Sequence, residues 1–145
     1  MQITGGHMSI FLLDDTSGVF EKTGDIIRID EWYGVGGGSY TVAVHYHNFQ
    51  GRVWIEAALA SEPAETDWFP IWLNGCQPFA EYPRDRAHPT GSPGCVGDTG
   101  TEAFVFEGNF TWLRARLDRS HILPVPATHE GVAAFGVIKK ILLNR

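Results

Sequence analysis

The sequence predicts an all-β fold: one antiparallel β-sandwich, jelly-roll-like domain of about eight strands over residues 1–145. Three observations predict it. No stretch of about eleven residues carries apolar residues at helical spacing without a Gly or Pro break. The chain has 17 Gly and 8 Pro, which punctuate it as short strands joined by turns require. Apolar residues alternate with a period of two in several short runs, as on a strand with one face buried. The 145 residues are 43% hydrophobic and 19% charged. That suits one folded domain able to bury a core without staples.

The strands follow in order. Residues 9–13 form the first, closed by Asp14, Asp15 and Gly18. In residues 25–30, Ile27 and Ile29 alternate against Arg28. The glycine run at 34–38 then forces a loop. In residues 40–47, Tyr40, Val42, Val44 and Tyr46 share one face, and Thr41, Ala43, His45 and His47 the other. In residues 52–59, Val53, Ile55, Ala57 and Leu59 oppose Arg52, Trp54 and Glu56. The short link Asn48-Phe49-Gln50-Gly51 predicts that these two runs pair as an antiparallel hairpin. Residues 67–73 form a short aromatic strand that Pro70 assigns to an edge or bulge.

Residues 74–100 are rich in Pro and Gly and predict a long loop with little regular structure. The sheet resumes at 102–107. In 111–117, Leu113, Ala115 and Leu117 are expected inside, with Trp112, Arg114 and Arg116 outside. Residues 136–144 give the last strand, where Lys139 and Lys140 suit an edge that must not pair promiscuously.

The formal net charge of −6 argues against nucleic-acid binding, which needs a basic surface to displace counterions. No segment approaches the roughly 20 apolar residues of a membrane span, and no N-terminal targeting pattern is present. The expectation is a soluble chain made in the cytoplasm.

Cys76 and Cys95 bracket the long loop and are a possible disulfide, with two free thiols as the equal alternative. With His88 they offer three zinc ligands, but no convincing fourth and no short chelating pair. His45 and His47 leave one strand face together, yet the sequence sets no carboxylate or third histidine beside them. No metal and no cofactor are expected. Asp118, Ser120 and His121 are too close in sequence to build a triad by themselves. No nucleophile elbow, phosphate loop or dinucleotide fingerprint occurs. The chain is therefore read as a non-enzyme.

The 12% aromatic content exceeds what one small core needs. The exterior residues Trp112, Arg114, Arg116, Trp54 and Trp72 are the candidate interface, because aromatics and arginines are enriched at protein contacts. Replacing Arg114 and Arg116 by Ala is expected to leave the monomer folded and weaken assembly. The plainer alternative is an outer sheet face where long side chains cover rings.

Three blocks carry a resemblance. The first is Tyr40-Thr41-Val42-Ala43-Val44 through Asn48-Phe49-Gln50-Gly51-Arg52-Val53-Trp54-Ile55-Glu56-Ala57-Ala58-Leu59, then Glu62-Pro63 and Asp67-Trp68-Phe69-Pro70-Ile71. The second runs from Phe106-Glu107-Gly108-Asn109-Phe110 through Thr111-Trp112-Leu113-Arg114-Ala115-Arg116-Leu117 to Asp118-Arg119-Ser120-His121-Ile122. The third is Ile138-Lys139-Lys140-Ile141-Leu142-Leu143-Asn144. Together they resemble small structural proteins of tailed bacteriophages, in particular contractile-tailed cyanobacterial phages. The resemblance implies a β-sandwich placed in the virion after assembly in the host cytoplasm. It would serve as a capsid decoration, neck, tail or baseplate component, contacting other virion proteins and copies of itself. It brings no catalytic motif. The alternative function is a lectin-like carbohydrate-binding module, in which Trp32, Trp54, Trp72 and the His45/His47 pair would form a platform for a glycan.

Overall fold

A computed structural model describes residues 9–29, 38–73, 77–84 and 95–144. The strands are β1 (Ile10–Leu13), β2 (Lys22–Thr23), β3 (Ile27–Arg28), β4 (Ser39–Phe49), β5 (Gly51–Ala58), β6 (Phe69–Ile71), β7 (Ala80–Tyr82), β8 (Asp98–Glu107), β9 (Trp112–Asp118) and β10 (Val137–Asn144). A 3-10 turn covers Glu65–Asp67, and the short helix α1 covers His129–Ala133. Thr128 caps α1 by accepting from the Gly131 N–H at 3.0 Å.

Two antiparallel sheets face each other. The first has the order β1-β10-β4-β8; the second has β2-β9-β5-β6, with β3 also on β9 and β7 also on β5. Since β2 and β3 share one neighbour and β6 and β7 another, the ten strands among the described residues fill eight sheet positions. This interleaving of early and late strands is a jelly-roll order. The all-β sandwich expectation holds, with about ten strands where about eight were expected.

The core lies between the sheets. Val42 and Val44 of β4, Val53, Ile55 and Ala57 of β5, and Leu113, Ala115 and Leu117 of β9 are fully buried. Each large aliphatic residue placed there contributes about 1.5–3 kcal/mol. The alternating runs thus predicted the inward faces correctly, except Leu59. It follows the last residue of β5 and is 60% exposed.

The expected hairpin does not form. β4 and β5 belong to different sheets, and the chain crosses between them at residues 48–51. Their apolar faces meet across the core instead of lying side by side, and period-two alternation is identical in both cases. Phe49, in the middle of the link, is fully buried. Asn48 adopts φ 48° and donates its N–H to Thr99 Oγ1 at 2.9 Å. Gln50 donates its N–H to the Phe135 carbonyl at 2.8 Å. The corner is close-packed: a Cβ on Gly136, which has φ 73°, would lie 1.9 Å from the Asn48 carbonyl oxygen.

Arg119, next after β9, ties this corner to two other segments and is 0% exposed. Its Nε donates to the Gln50 carbonyl at 2.7 Å. Nη1 donates to the Phe20 carbonyl at 3.2 Å and Nη2 to those of Phe135 and Gly136, each at 3.0 Å. The rings of Phe20, Phe49 and Phe135 surround the guanidinium. Burial pushes its pKa down to about 10, with Glu21 opposing.

Two other expectations change. β10 is not an edge: it lies between β1 and β4. Its lysines mark a break in register between Ile138 and Lys140, which lets Ile138 and Ile141 both reach the core. The 74–100 excursion also contains more sheet than expected. Within it, β7 pairs with the start of β5, and β8 begins at Asp98. Pro70 does sit on an outer strand, since among the described residues β6 pairs with β5 alone.

Candidate functional site

Four of the five candidate interface residues meet on the outer face of the second sheet. The register sets Arg52 opposite Asp118, Trp54 opposite Arg116, Glu56 opposite Arg114 and Ala58 opposite Trp112. These cross-strand pairs are complementary in charge, ring or size.

At the centre, Arg114 is almost fully buried. Its Nε donates to Glu56 Oε1 at 2.8 Å, and Nη1 to Glu65 Oε2 at 3.1 Å. Its guanidinium lies 4.2 Å from the Trp68 ring centroid. Burial alone would lower its pKa, but the bonds to Glu65 and Glu56 outweigh this and raise it. Arg116 reaches the other Glu56 oxygen at 3.4 Å and lies over Trp54 at 4.9 Å. The Trp54 indole donates to Asp118 Oδ2 at 2.9 Å. Burial would raise the Asp118 pKa, but hydrogen bonds from Ser120 and Trp54 and the Arg116 charge hold it below the ordinary value.

The stack continues at both ends. Arg52 bonds Glu81 at 3.0 Å and covers Phe79 at 4.4 Å, while Phe79 contacts Trp54 with ring centroids 5.1 Å apart. Arg28 lies 5.4 Å from the Trp112 ring, whose indole donates to the Ala60 carbonyl at 3.0 Å. The result is a rigid face of alternating cations and rings with its charges largely compensated from within. Trp72, the fifth candidate, lies beyond β6 and is 58% exposed.

The other candidates separate. His45 and His47 are on β4, in the opposite sheet from Trp54, so the suggested platform of Trp32, Trp54, Trp72 and both histidines does not assemble as a unit. Trp32 itself lies outside the described residues. His45 Nδ1 is 3.0 Å from Thr101 Oγ1, and His47 Nδ1 is 3.5 Å from Thr99 Oγ1. Cys95 is half-buried with a free thiol; Cys76 and His88 lie outside the described residues. Among the described residues no His, Cys, Asp and Glu group is arranged to hold a metal ion. None of the described helices is long and apolar enough to cross a membrane.

Sequence reasoning missed the acidic half of this face. Glu56 was assigned to it, but no local spacing announced that it would meet Arg114, 58 residues away. Glu65 arrives from the 3-10 turn, and Glu81 from a strand inside the presumed loop. His121, considered in the sequence only as a triad member, is placed with both ring nitrogens buried and, among the described residues, without a hydrogen-bond partner. Burial pushes its imidazole below the ordinary value; Arg52 and Arg119 add to this, while Glu81 and Asp118 oppose it.

A base whose pKa falls on folding binds fewer protons in the folded chain. Its contribution is therefore complete above the unfolded value, about 6.5, and is lost as pH falls through it towards the folded value. His45 is shifted the same way, first by burial and then by Lys140 and Lys139. Urea midpoints should therefore fall between pH 7 and pH 5, and less steeply in His121→Gln than in the native chain. Parallel pH profiles would remove His121 as a source of the loss.

Comparison with protein-family models, curated proteins and solved structures finds no match. What the structure defines is the class: an antiparallel β-sandwich with an arginine–aromatic outer face.

Proposed function

We propose that the protein is a structural component of a tailed-phage virion and works through assembly contacts. The observation that carries the reading is the outer face of the second sheet. Arginines and aromatics, the side chains enriched at protein contacts, are held there in fixed positions by Glu56, Glu65 and Asp118. A preordered surface loses little side-chain entropy when a partner covers it. Exposed Trp72 and Leu59 add apolar area around it. The jelly roll serves viral capsids and lectins alike, so the fold leaves the choice to the surface.

The virion reading predicts the chain in purified particles by quantitative mass spectrometry, in a copy number set by particle symmetry. Trp72→Ala should stay folded, because its ring is mostly in solvent, and should lower incorporation several-fold. Absence of the native chain from particles would sink the reading. Glycan binding is the second reading, favoured by the free surface of Trp72. The Trp54 ring is already engaged by Arg116 and Phe79. Binding to a defined glycan on an array, lost in Trp72→Ala, would favour that reading instead.

A further inference from the structure

The sheet edges are unequal. On the second sheet, β2 and β3 have two residues each, β6 carries Pro70 and β7 has three residues. On the first sheet, β1 has four residues with a register shift after Phe11. Short strands, prolines and irregular register all discourage pairing with another chain. β8 is different. It runs for ten residues without Pro or Lys, its register shift against β4 is confined to the start, between Asp98 and Gly100, and among the described residues it pairs with β4 alone. Thr99, Thr101, Ala103 and Val105 point outward and are exposed, Val105 at 69%. An inward charge would also guard an edge, but the two acidic residues at inward positions of β8 are engaged: Asp98 accepts from the Arg84 N–H at 2.8 Å, and Glu102 is compensated. It accepts from Tyr82 Oη at 2.7 Å and through both oxygens from Arg84 Nη2, each at 2.7 Å.

We infer that β8 is a self-association edge, on which a second copy adds its own β8 antiparallel, centred on Ala103. A two-fold axis through the sheet keeps inward side chains opposite inward ones and outward opposite outward. Two registers then overlap nearly the whole strand. One centres on Glu102 and opposes the carboxylates of the two copies. The other centres on Ala103 and sets Thr101 against Val105 and Thr99 against Glu107, with no like charges opposed.

Two further features fit the second register. Phe106 of one copy falls opposite Gly100 of the other, where an added Cβ would come no closer than 3.8 Å to the Tyr46 hydroxyl. A row of outer-face residues, Phe11, Leu142, Ala43 and Ala103, crosses the first sheet strand by strand. Pairing about Ala103 continues that row directly into the second copy. Each four-stranded sheet thereby becomes half of a continuous one. The pairing deepens the virion reading by naming its self-contact, and rests on that reading only for its biological use.

The test uses the purified full chain in sedimentation equilibrium. An interface of this size is at the small end for stable complexes, so dimers should be populated at up to about 100 µM. The expected mass there is twice 16.0 kDa. Ala103→Lys sets two lysines against each other and should raise the dissociation constant at least tenfold. Ala103→Cys should give an oxidised covalent dimer, well above the background of the native cysteines, and Thr101→Cys should not. If Ala103→Lys fails to fold, the cysteine comparison decides. A native chain that stays monomeric, a dimer indifferent to Ala103→Lys, or equal cross-linking from positions 101 and 103 would each overturn the inference. Particle content is a separate measurement, so failure of the virion reading would leave the dimer result intact.

Discussion

Arg119→Ala is expected to lose about 3–5 kcal/mol of stability, a large share of the total for a domain of this size. The substitution leaves the carbonyls of Gln50, Phe20, Phe135 and Gly136 without this donor, those of Gln50 and Gly136 in buried bonds. A buried acceptor left without its donor costs about 1–3 kcal/mol. It also opens a cavity among three phenylalanine rings. The cost of burying the cation, visible in its lowered pKa, offsets only part of this. Arg119→Lys should recover a minor fraction, since one ammonium cannot reach acceptors on three segments. Urea unfolding measures both variants. A loss under about 1 kcal/mol in Arg119→Ala would mean that the guanidinium does not hold the corner.

Arg114→Ala should cost about 2–3 kcal/mol, less than a fully buried pair because Arg116 still touches Glu56. The structure therefore alters the expectation that Arg114 and Arg116 can be removed together without harming the monomer. Removing both leaves the nearly buried Glu56 carboxylate without either arginine, and the loss should exceed that of Arg114→Ala alone. Pairing Arg114→Met with Glu56→Gln should recover much of it, because a neutral pair carries no orphaned charge. Equal losses in Arg114→Ala and the Met/Gln double variant would show that packing, not charge, sets the cost.

The inward faces were legible because alternation is local: Val53, Ile55, Ala57, Leu113, Ala115 and Leu117 declare themselves within seven residues. Which sheet a run joins was not legible from that signal. Residues 40–47 and 52–59 alternate alike whether they pair or face each other. Phe49 was the available clue, since a large apolar residue inside a polar turn needs somewhere to be buried. The place of β10 between β1 and β4 was likewise hidden, because Lys139 and Lys140 suit an irregular register as well as an edge. At the candidate site, the aromatic and arginine half was readable from the alternation of two runs, with Trp54 on β5 and Trp112, Arg114 and Arg116 on β9. The acidic half comes from β5, β7 and the 3-10 turn, and only the fold brings it there.

The position of β10 also bears on how the chain acquires its shape during synthesis. Among the described strands it is the last in sequence, and it occupies the interior of the first sheet. Until the ribosome has released residues 137–144, β1 has no strand to pair with and β4 has an open side. The nascent chain carries β1 unpaired and β4 with only β8 beside it, and a strand edge that cannot yet close is where entanglement with neighbouring chains begins. Most contacts of the first sheet join residues far apart in sequence, which places folding in the slow, millisecond-to-second range of β-sandwiches. β10 is therefore synthesised after both of the strands it joins.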